Sequence, residues 1–232
     1  MKIALLGYGK MGKVIEKFAI QRGHQIVLKK SSNDSFDNLH EADVAIDFSV
    51  PMAAVSNITQ CINANIPVVS GTTGWLEAYD DMVALCKEKQ GAFLYGSNFS
   101  LGVNLFFELN DYLAKLMSRF DEYTIQMEEI HHTQKLDKPS GTAITLANTI
   151  IDNTHYTSWT LDNPNPNQLI IDTQRIENVP GTHSIFYNSA VDTIEIKHTA
   201  HSRDGFALGA VIAAEWLHGK KGIFTMRDVL GL

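Results

Sequence analysis

Apolar positions in the first hundred residues fall in short runs separated by longer amphipathic stretches. Ile3, Ala4, Leu5 and Leu6 are contiguous and predict a buried strand over 2–6, while Val14, Ile15, Phe18 and Ala19 follow at helical spacing. Runs at 25–28, 44–48, 67–70 and 92–95 predict further strands, with a helix over 52–62 between two of them. Several runs end in small polar tips, at Ser49-Val50-Pro51, Gly71-Thr72-Thr73-Gly74-Trp75 and Gly96-Ser97-Asn98-Phe99. Strand and helix repeating in this way predict an open α/β fold. Its doubly wound parallel sheet would bind ligands at the carboxyl ends of its strands.

The period changes after Ser100. Leu105, Phe106, Leu109, Leu113, Leu116 and Met117 mark a long amphipathic helix, and residues 98–102 read as a hinge leading into it. Residues 123–130 alternate, with Tyr123, Ile125 and Met127 on one face of a strand. Ala143, Leu146, Ala147, Ile150 and Ile151 predict a helix with one buried face. Residues 153–168, rich in Asn, Pro and Thr, read as an irregular connection. Strands are expected at 169–175, 182–187 and 192–201, the last two turning at Asn188-Ser189, with Ile194, Ile196 and His198 on one face. The result is a second, α+β unit whose spare sheet face is expected to meet another subunit. A helix over 206–217 and a closing segment over 224–230 end the chain.

Composition narrows the partners. The chain has 232 residues, 44% of them hydrophobic, which supports a real core in a soluble globular protein. A formal charge of -7 argues against nucleic acid, whose phosphates reward clustered Lys and Arg. The longest apolar stretch, 206–214, is broken by glycine and stopped by Glu215, so no membrane span is expected. The run at 3–6 is too short for a signal-peptide core. Cys61 and Cys86 fall in predicted helices without metal-ligand spacing, which fits reduced thiols and a cytoplasmic location.

Two stretches carry candidate chemistry. Gly7-Tyr8-Gly9-Lys10-Met11-Gly12 is a GxGxxG fingerprint between strand and helix. Its glycines serve a tight turn, close approach to a pyrophosphate and helix-on-strand packing. NAD(H) usually meets an acidic residue at the end of the second strand, yet this strand ends in Lys29-Lys30-Ser31-Ser32. Two cations and two hydroxyls suit the 2′-phosphate of NADP(H). Solvated surface lysines are the plain alternative, and Asp34 remains a candidate ribose partner. The Gly71-Thr72-Thr73-Gly74 tip, beside the presumed dinucleotide, is expected to line its nicotinamide end.

The second stretch, residues 128–143, reads EEIHHTQKLDKPSGTA. One helical turn would set His131 and Lys135 on one side as an acid-base pair. Ser140 is a good N-cap, and the amides at Gly141 and Thr142 then lack intrahelical acceptors and suit a carboxylate or phosphate. Proton donors beside an anion clamp point to chemistry on a small carboxylated molecule. A metal site built from His131, His132, His183, His198 and His201 has no HExxH or Cys-His spacing behind it, so no metal is expected.

These residues resemble the 4-hydroxy-tetrahydrodipicolinate reductase family, also called dihydrodipicolinate reductase, over nearly the whole chain. The resemblance rests on Glu129-Ile130-His131-His132, Lys135, Asp137 and Pro139-Ser140-Gly141-Thr142-Ala143. Gly71-Thr72-Thr73-Gly74, Ser97-Asn98-Phe99-Ser100 and Met226-Arg227-Asp228-Val229-Leu230 support it. It implies a Rossmann domain over 1–100 completed by 203–232, and a substrate-binding and oligomerisation domain over 101–202, assembled as a homotetramer. It implies NAD(P)H-dependent reduction of a small dicarboxylate in lysine and diaminopimelate biosynthesis. By the same resemblance His131 is proton donor and acceptor, Lys135 a second proton donor and His132 a substrate contact, with Ser140, Gly141 and Thr142 as the carboxylate clamp. The cofactor would meet Gly7 to Gly12, Lys29, Lys30, Gly71, Thr72, Thr73, Gly96, Ser97, Asn98 and Phe99. The chain departs from many members in a glycine loop one residue shorter, in Lys10 for arginine, and in Lys138 for alanine. A lysine at 29 or 30 in place of an acidic residue tilts the expectation toward NADPH, with NADH also usable. A related NADPH-dependent imine or oxo-acid reductase and a non-catalytic NADPH-binding sensor are the rival readings.

Overall fold

Alternate residues of the first strand, β1 (Lys2–Leu6), serve two different cores, which is what a doubly wound sheet requires. Ile3 and Leu5 pack with one cluster, Ala4 and Leu6 with the other. The computed structural model describes residues 1–31 and 34–232 and divides into two compact units, Met1–Leu101 with Asp204–Leu232, and Gly102–Arg203.

In the first unit β1 pairs in parallel with β2 (Gln25–Lys30) on one side and β3 (Val44–Asp47) on the other. β4 (Val68–Ser70), β5 (Ala92–Tyr95) and a last strand, Gly222–Phe224 (β11 in chain order), continue the sheet, all parallel, in the order β11-β5-β4-β3-β1-β2. Helices α1 (Lys10–Gln21) and Asp204–Leu217 (α6) cover one face. Helices α2 (Pro51–Asn63) and α3 (Tyr79–Glu88) cover the other, burying both free cysteines. In α6, Gly209 is a close-packing residue, because a Cβ there would lie 1.7 Å from the Phe99 carbonyl oxygen. Most bounds move by one or two residues from the sequence expectation, and two differences bear on the site and the sheet. β2 runs two residues further, taking in Lys29 and Lys30, and the closing segment contains β11 as well as a short helix, Met226–Leu230 (α7). Three residues are too few to show a strand period.

The second unit is a mixed sheet in the order β10-β9-β6-β8-β7. Its strands are β6 (Thr124–His131), β7 (Ser158–Thr160), β8 (Gln168–Arg175), β9 (Gly181–Asn188) and β10 (Thr193–Ala200). β7, within the stretch expected to be irregular, is a three-residue edge strand parallel to β8. Helices α4 (Leu101–Met117) and α5 (Gly141–Asn153) bury Phe106, Leu113, Leu146 and Ile150 against Ile125, Met127, Leu169 and Ile185 of the sheet. Facing residues on the opposite side are mixed in character, as in the row Gln126, Phe186 and Glu195. No described helix is long and apolar enough to cross a membrane.

Candidate active site

The glycine loop separates its three tasks. Gly7 has φ +96°, and a Cβ there would lie 2.2 Å from the Phe48 carbonyl oxygen, so turn and packing both require glycine. A Cβ on Gly12 would lie 2.4 Å from the Gly7 oxygen, while among the described residues nothing stands within 4 Å of a Cβ placed on Gly9. Gly9 is also the N-cap of α1 and brings no side chain to satisfy the helix's first amides. The open glycine and the helix start that no cap side chain covers therefore coincide, as an approaching phosphate requires. Beside them is a cavity of about 250 Å³ whose lining includes Gly7, Tyr8, Gly9, Lys30, Ser31 and Ser49. It sits where chain order reverses between β1 and β3, the switch point at which such sheets bind nucleotides.

The two lysines have different surroundings. Lys29 Nζ is 2.6 Å from Glu16 Oε1 of α1 and lies over the Tyr8 ring, whose hydroxyl donates to the other Glu16 oxygen. Lys30 is buried, lies over the Phe36 ring, donates to the Ser31 carbonyl and lines the cavity. Asp34 accepts the Ser31 amide at 2.7 Å, and Ser32 lies outside the described residues.

The tips after β3 and β4 are joined by a residue that sequence reasoning missed. Asp47, fully buried, accepts from Ser49 Oγ and Asn57 Nδ2 on one oxygen and from Ser70 Oγ and Thr72 Oγ1 on the other, at 2.7–2.9 Å. Burial raises its pKa against the pull of those donors. Thr72 is thus turned inward, and its carbonyl accepts from the Trp75 indole. Thr73 and Ser97 are exposed, whereas the Phe99 side chain is in the core against Phe48 and beside Gly96. Asn98 Oδ1 accepts the Ser100 amide.

In the second unit the alternation that buries Ile125 and Met127 also buries Glu129 and His131. Glu129 has no exposed surface and is the centre of a network. Its Oε1 accepts from Arg175 Nη2 at 3.2 Å, and its Oε2 accepts the Ser140 amide at 3.0 Å. Oε2 is also 3.5 Å from His131 Nδ1 and 3.8 Å from His183 Nε2. Burial opposes the Glu129 charge, but Ser140, His131 and Arg175 outweigh it and hold its pKa below the usual carboxylate range. Burial pushes His183 down to about 4. Burial also lowers His131, helped by Lys135 and Arg175 and resisted by Glu129.

His131 ends β6, and the chain then turns, with the Lys135 amide donating to the His132 carbonyl. The turn is not helical, so His131 and Lys135 do not stack at i and i+4. Lys135 Nζ pairs with Asp137 at 2.8 Å, and Arg175 fastens this loop by donating to the Asp137 carbonyl at 2.7 Å. Ser140 caps α5 by accepting the Ala143 amide at 3.1 Å and faces His183 Nε2 at 3.2 Å. A Cβ added at Gly141 would meet nothing within 4 Å among the described residues beyond its own helix start. His132 turns away from His131 to meet Arg203 at 3.2 Å. The two line a cavity of about 400 Å³ with Thr133, Gln134 and residues 177–180, whose lining does not include His131, Lys135 or residues 140–142.

Glu129, His131 and His183 place one donor atom each within 4.8 Å of one another. The guanidinium on Glu129 and the nearby Lys135 charge make this a poor home for a dication, and the set works as a hydrogen-bond and charge network. Sequence reasoning named neither Arg175 nor Glu129 as site residues and met His183 only as a rejected metal ligand. The alternation through β6 was the available signal for Glu129.

Comparison with known proteins places the chain among reductases. Residues 1–99 match a family model described as dihydrodipicolinate reductase, N-terminus, and residues 102–230 its C-terminal counterpart. A 4-hydroxy-tetrahydrodipicolinate reductase of Christiangramia forsetii is 56% identical, with 99% of this chain and 98% of that protein aligned. One of Neisseria gonorrhoeae is 31% identical over 100% of this chain and 98% of its own. A dipicolinate-bound dihydrodipicolinate reductase from Paenisporosarcina sp. TG-14 shares the fold with TM-score 0.75, at 20% identity over 97% of each chain. A probable dehydrogenase from Thermotoga maritima does so at 0.61 and 10% identity, over 99% of this chain and 92% of its own.

Proposed function

The chain belongs to the dihydrodipicolinate reductase family, and we propose on that footing that it reduces 4-hydroxy-tetrahydrodipicolinate to tetrahydrodipicolinate with NAD(P)H, in lysine and diaminopimelate biosynthesis. The observation that carries the reading is the second unit's pairing of a buried Glu129–His131 couple with an unobstructed helix start at Gly141. It combines proton chemistry with carboxylate recognition.

The first unit binds the nucleotide, with Gly9 and the first amides of α1 at the pyrophosphate and Gly71, Thr73, Ser97 and Asn98 toward the nicotinamide end. Thr72 and Phe99 act through their backbones, since their side chains are committed to Asp47 and to the core. The bound nucleotide supplies hydride to an electrophilic carbon of the unsaturated ring. In the second unit the clamp of Ser140, Gly141 and Thr142 holds a ring carboxylate, and His132 touches the substrate. His131 and Lys135 meet the charge that develops on the ring by giving a proton. NADPH is the preferred nucleotide, with NADH also used. The protein is cytoplasmic and works as a homotetramer joined through the second unit's outer sheet face.

The test is nucleotide oxidation with freshly prepared hydroxy-tetrahydrodipicolinate, NADPH and NADH side by side. Substrate-dependent oxidation is expected. Tight nucleotide binding without turnover would leave the sensor or a reductase of another imine as the better reading. Light scattering in solution tests the tetramer.

A further inference from the structure

Neutral histidines in a protein interior must settle which ring nitrogen carries the proton, and the partner on one nitrogen decides what the other can do. His131 has an inner and an outer edge. Its Nδ1 is buried, has no hydrogen-bond partner among the described residues and lies 3.5 Å from Glu129 Oε2. Its Nε2 edge lies beside Gly181, where an added Cβ would come within 3.1 Å of Nε2. The glycine keeps that side of the ring clear, and the carboxylate occupies the other.

Glu129 is also tied to the proposed clamp. The oxygen facing His131 accepts the amide of Ser140, the cap of α5, while its partner oxygen is held by Arg175 from β8. One buried carboxylate therefore touches the strand bearing the proton donor and the helix start bearing the carboxylate site. Resting on the reductase reading above, we infer that Glu129 is the positioning residue of this site. It accepts a hydrogen bond from the Nδ1–H of His131, leaving Nε2 as the atom that exchanges a proton with substrate, and it sets the start of α5 in the same frame.

The groups acting on His131 are Glu129 on its own strand, Lys135 and Asp137 in the following loop, Arg175 on β8 and His183 on β9, which His198 of β10 influences in turn. Glu129 leads the influences that keep His131 protonated, opposing burial and the two cations. Proton donation needs the imidazolium, so activity falls as pH rises through the His131 pKa. Removing the Glu129 charge lowers that pKa and moves the loss to lower pH.

Two measurements decide the matter. Nitrogen NMR of the isotope-labelled wild-type protein, above the His131 pKa, reads the tautomer directly. The proton is expected on Nδ1, and a proton on Nε2 would overturn the inference whatever any variant does. Glu129→Gln, close in shape, is expected to lower kcat at least about 10- to 100-fold, the loss typical when the partner that orients a metal-ligating histidine is removed. Nucleotide KM should hold while the alkaline limb of the kcat profile shifts down, and Glu129→Asp, which keeps the charge, should recover part of that shift. Wild-type kcat and an unmoved limb in Glu129→Gln would reduce Glu129 to a folding role. If Glu129→Gln does not fold, the wild-type tautomer still decides. Absence of reductase turnover in the wild type would sink the functional reading while leaving the tautomer result to stand by itself.

Discussion

Glu16 and Lys29 meet at 2.6 Å, with Tyr8 of the glycine loop completing the group. The pair raises the Lys29 pKa and lowers that of Glu16, so each charge is answered locally. Lys30, by contrast, faces the cavity, and its partners among the described residues are a carbonyl and a ring. Of the two lysines, Lys30 is expected to carry more of the NADPH preference. Lys30→Ala should weaken NADPH about tenfold more than NADH, about 1.4 kcal/mol of selective loss, while Lys29→Ala changes the ratio little. Glu16→Gln should release Lys29 and tighten NADPH selectively. Fluorescence titration of both nucleotides checks this, and equal losses for the two nucleotides would remove both lysines from the 2′-phosphate.

His131→Gln or Lys135→Ala is expected to cut turnover by about a hundredfold or more, the contribution typical of general acid-base groups, while nucleotide affinity holds. The two effects should differ in origin. His131 is buried in the Glu129 network, whereas Lys135 pairs with an exposed carboxylate, that of Asp137. Asp137→Asn should therefore loosen Lys135 and cost less than removing it. Steady-state kinetics on the three variants gives the order, and undiminished turnover in the first two would return both residues to a structural role.

How far the sequence could be read depended on how local each signal was. β1 and β5 carry their own periodicity and have the bounds it predicts. The Ser140 cap was legible because cap, glycine and apolar face are adjacent in sequence. β7 and β11, three residues each, exist because a neighbouring strand offers them hydrogen bonds, which no local pattern records. Lys29 and Lys30 looked like the end of β2 because charge is rare inside strands. On this edge strand Lys29 reaches Glu16, and Lys30 covers its ammonium with Phe36. Arg175 and His183 join Glu129 only through β8 and β9 pairing on either side of β6, a relation that a single sequence does not display.

Asp47 offers a stability test away from the proton chemistry. Its two oxygens accept four hydrogen bonds, one of them from the side-chain amide of Asn57, which offers an acceptor there only by flipping and giving up its Nδ2 bond to Ser49 Oγ. Asp47→Asn puts a donor where an acceptor is needed and is expected to cost about 1–3 kcal/mol in urea unfolding. Because Thr72 Oγ1 also accepts the Ser49 amide, the tips after β3 and β4 should loosen together and nucleotide affinity should fall with stability. A stable variant with intact affinity would show that the hydroxyls reorient at no cost.

His183 makes the fold sensitive to acid. Unfolded, a histidine takes up its proton near pH 6.5, but burial holds the folded His183 pKa at about 4. Between those values the unfolded chain binds the proton and the folded chain does not, so stability falls as pH falls through this window. The full loss across it is of order 3 kcal/mol for this one group. His131, whose pKa is also lowered, adds in the same direction, and Glu129, held ionised in the fold, adds a further loss once pH drops below the usual carboxylate range. His183→Gln, which retains a donor toward Ser140, should flatten the dependence between pH 6.5 and about 5 while lowering stability at neutral pH only modestly. Denaturant midpoints across that range for wild type and variant give the slopes directly. Parallel slopes would assign the acid sensitivity to other groups and leave His183 a neutral packing residue.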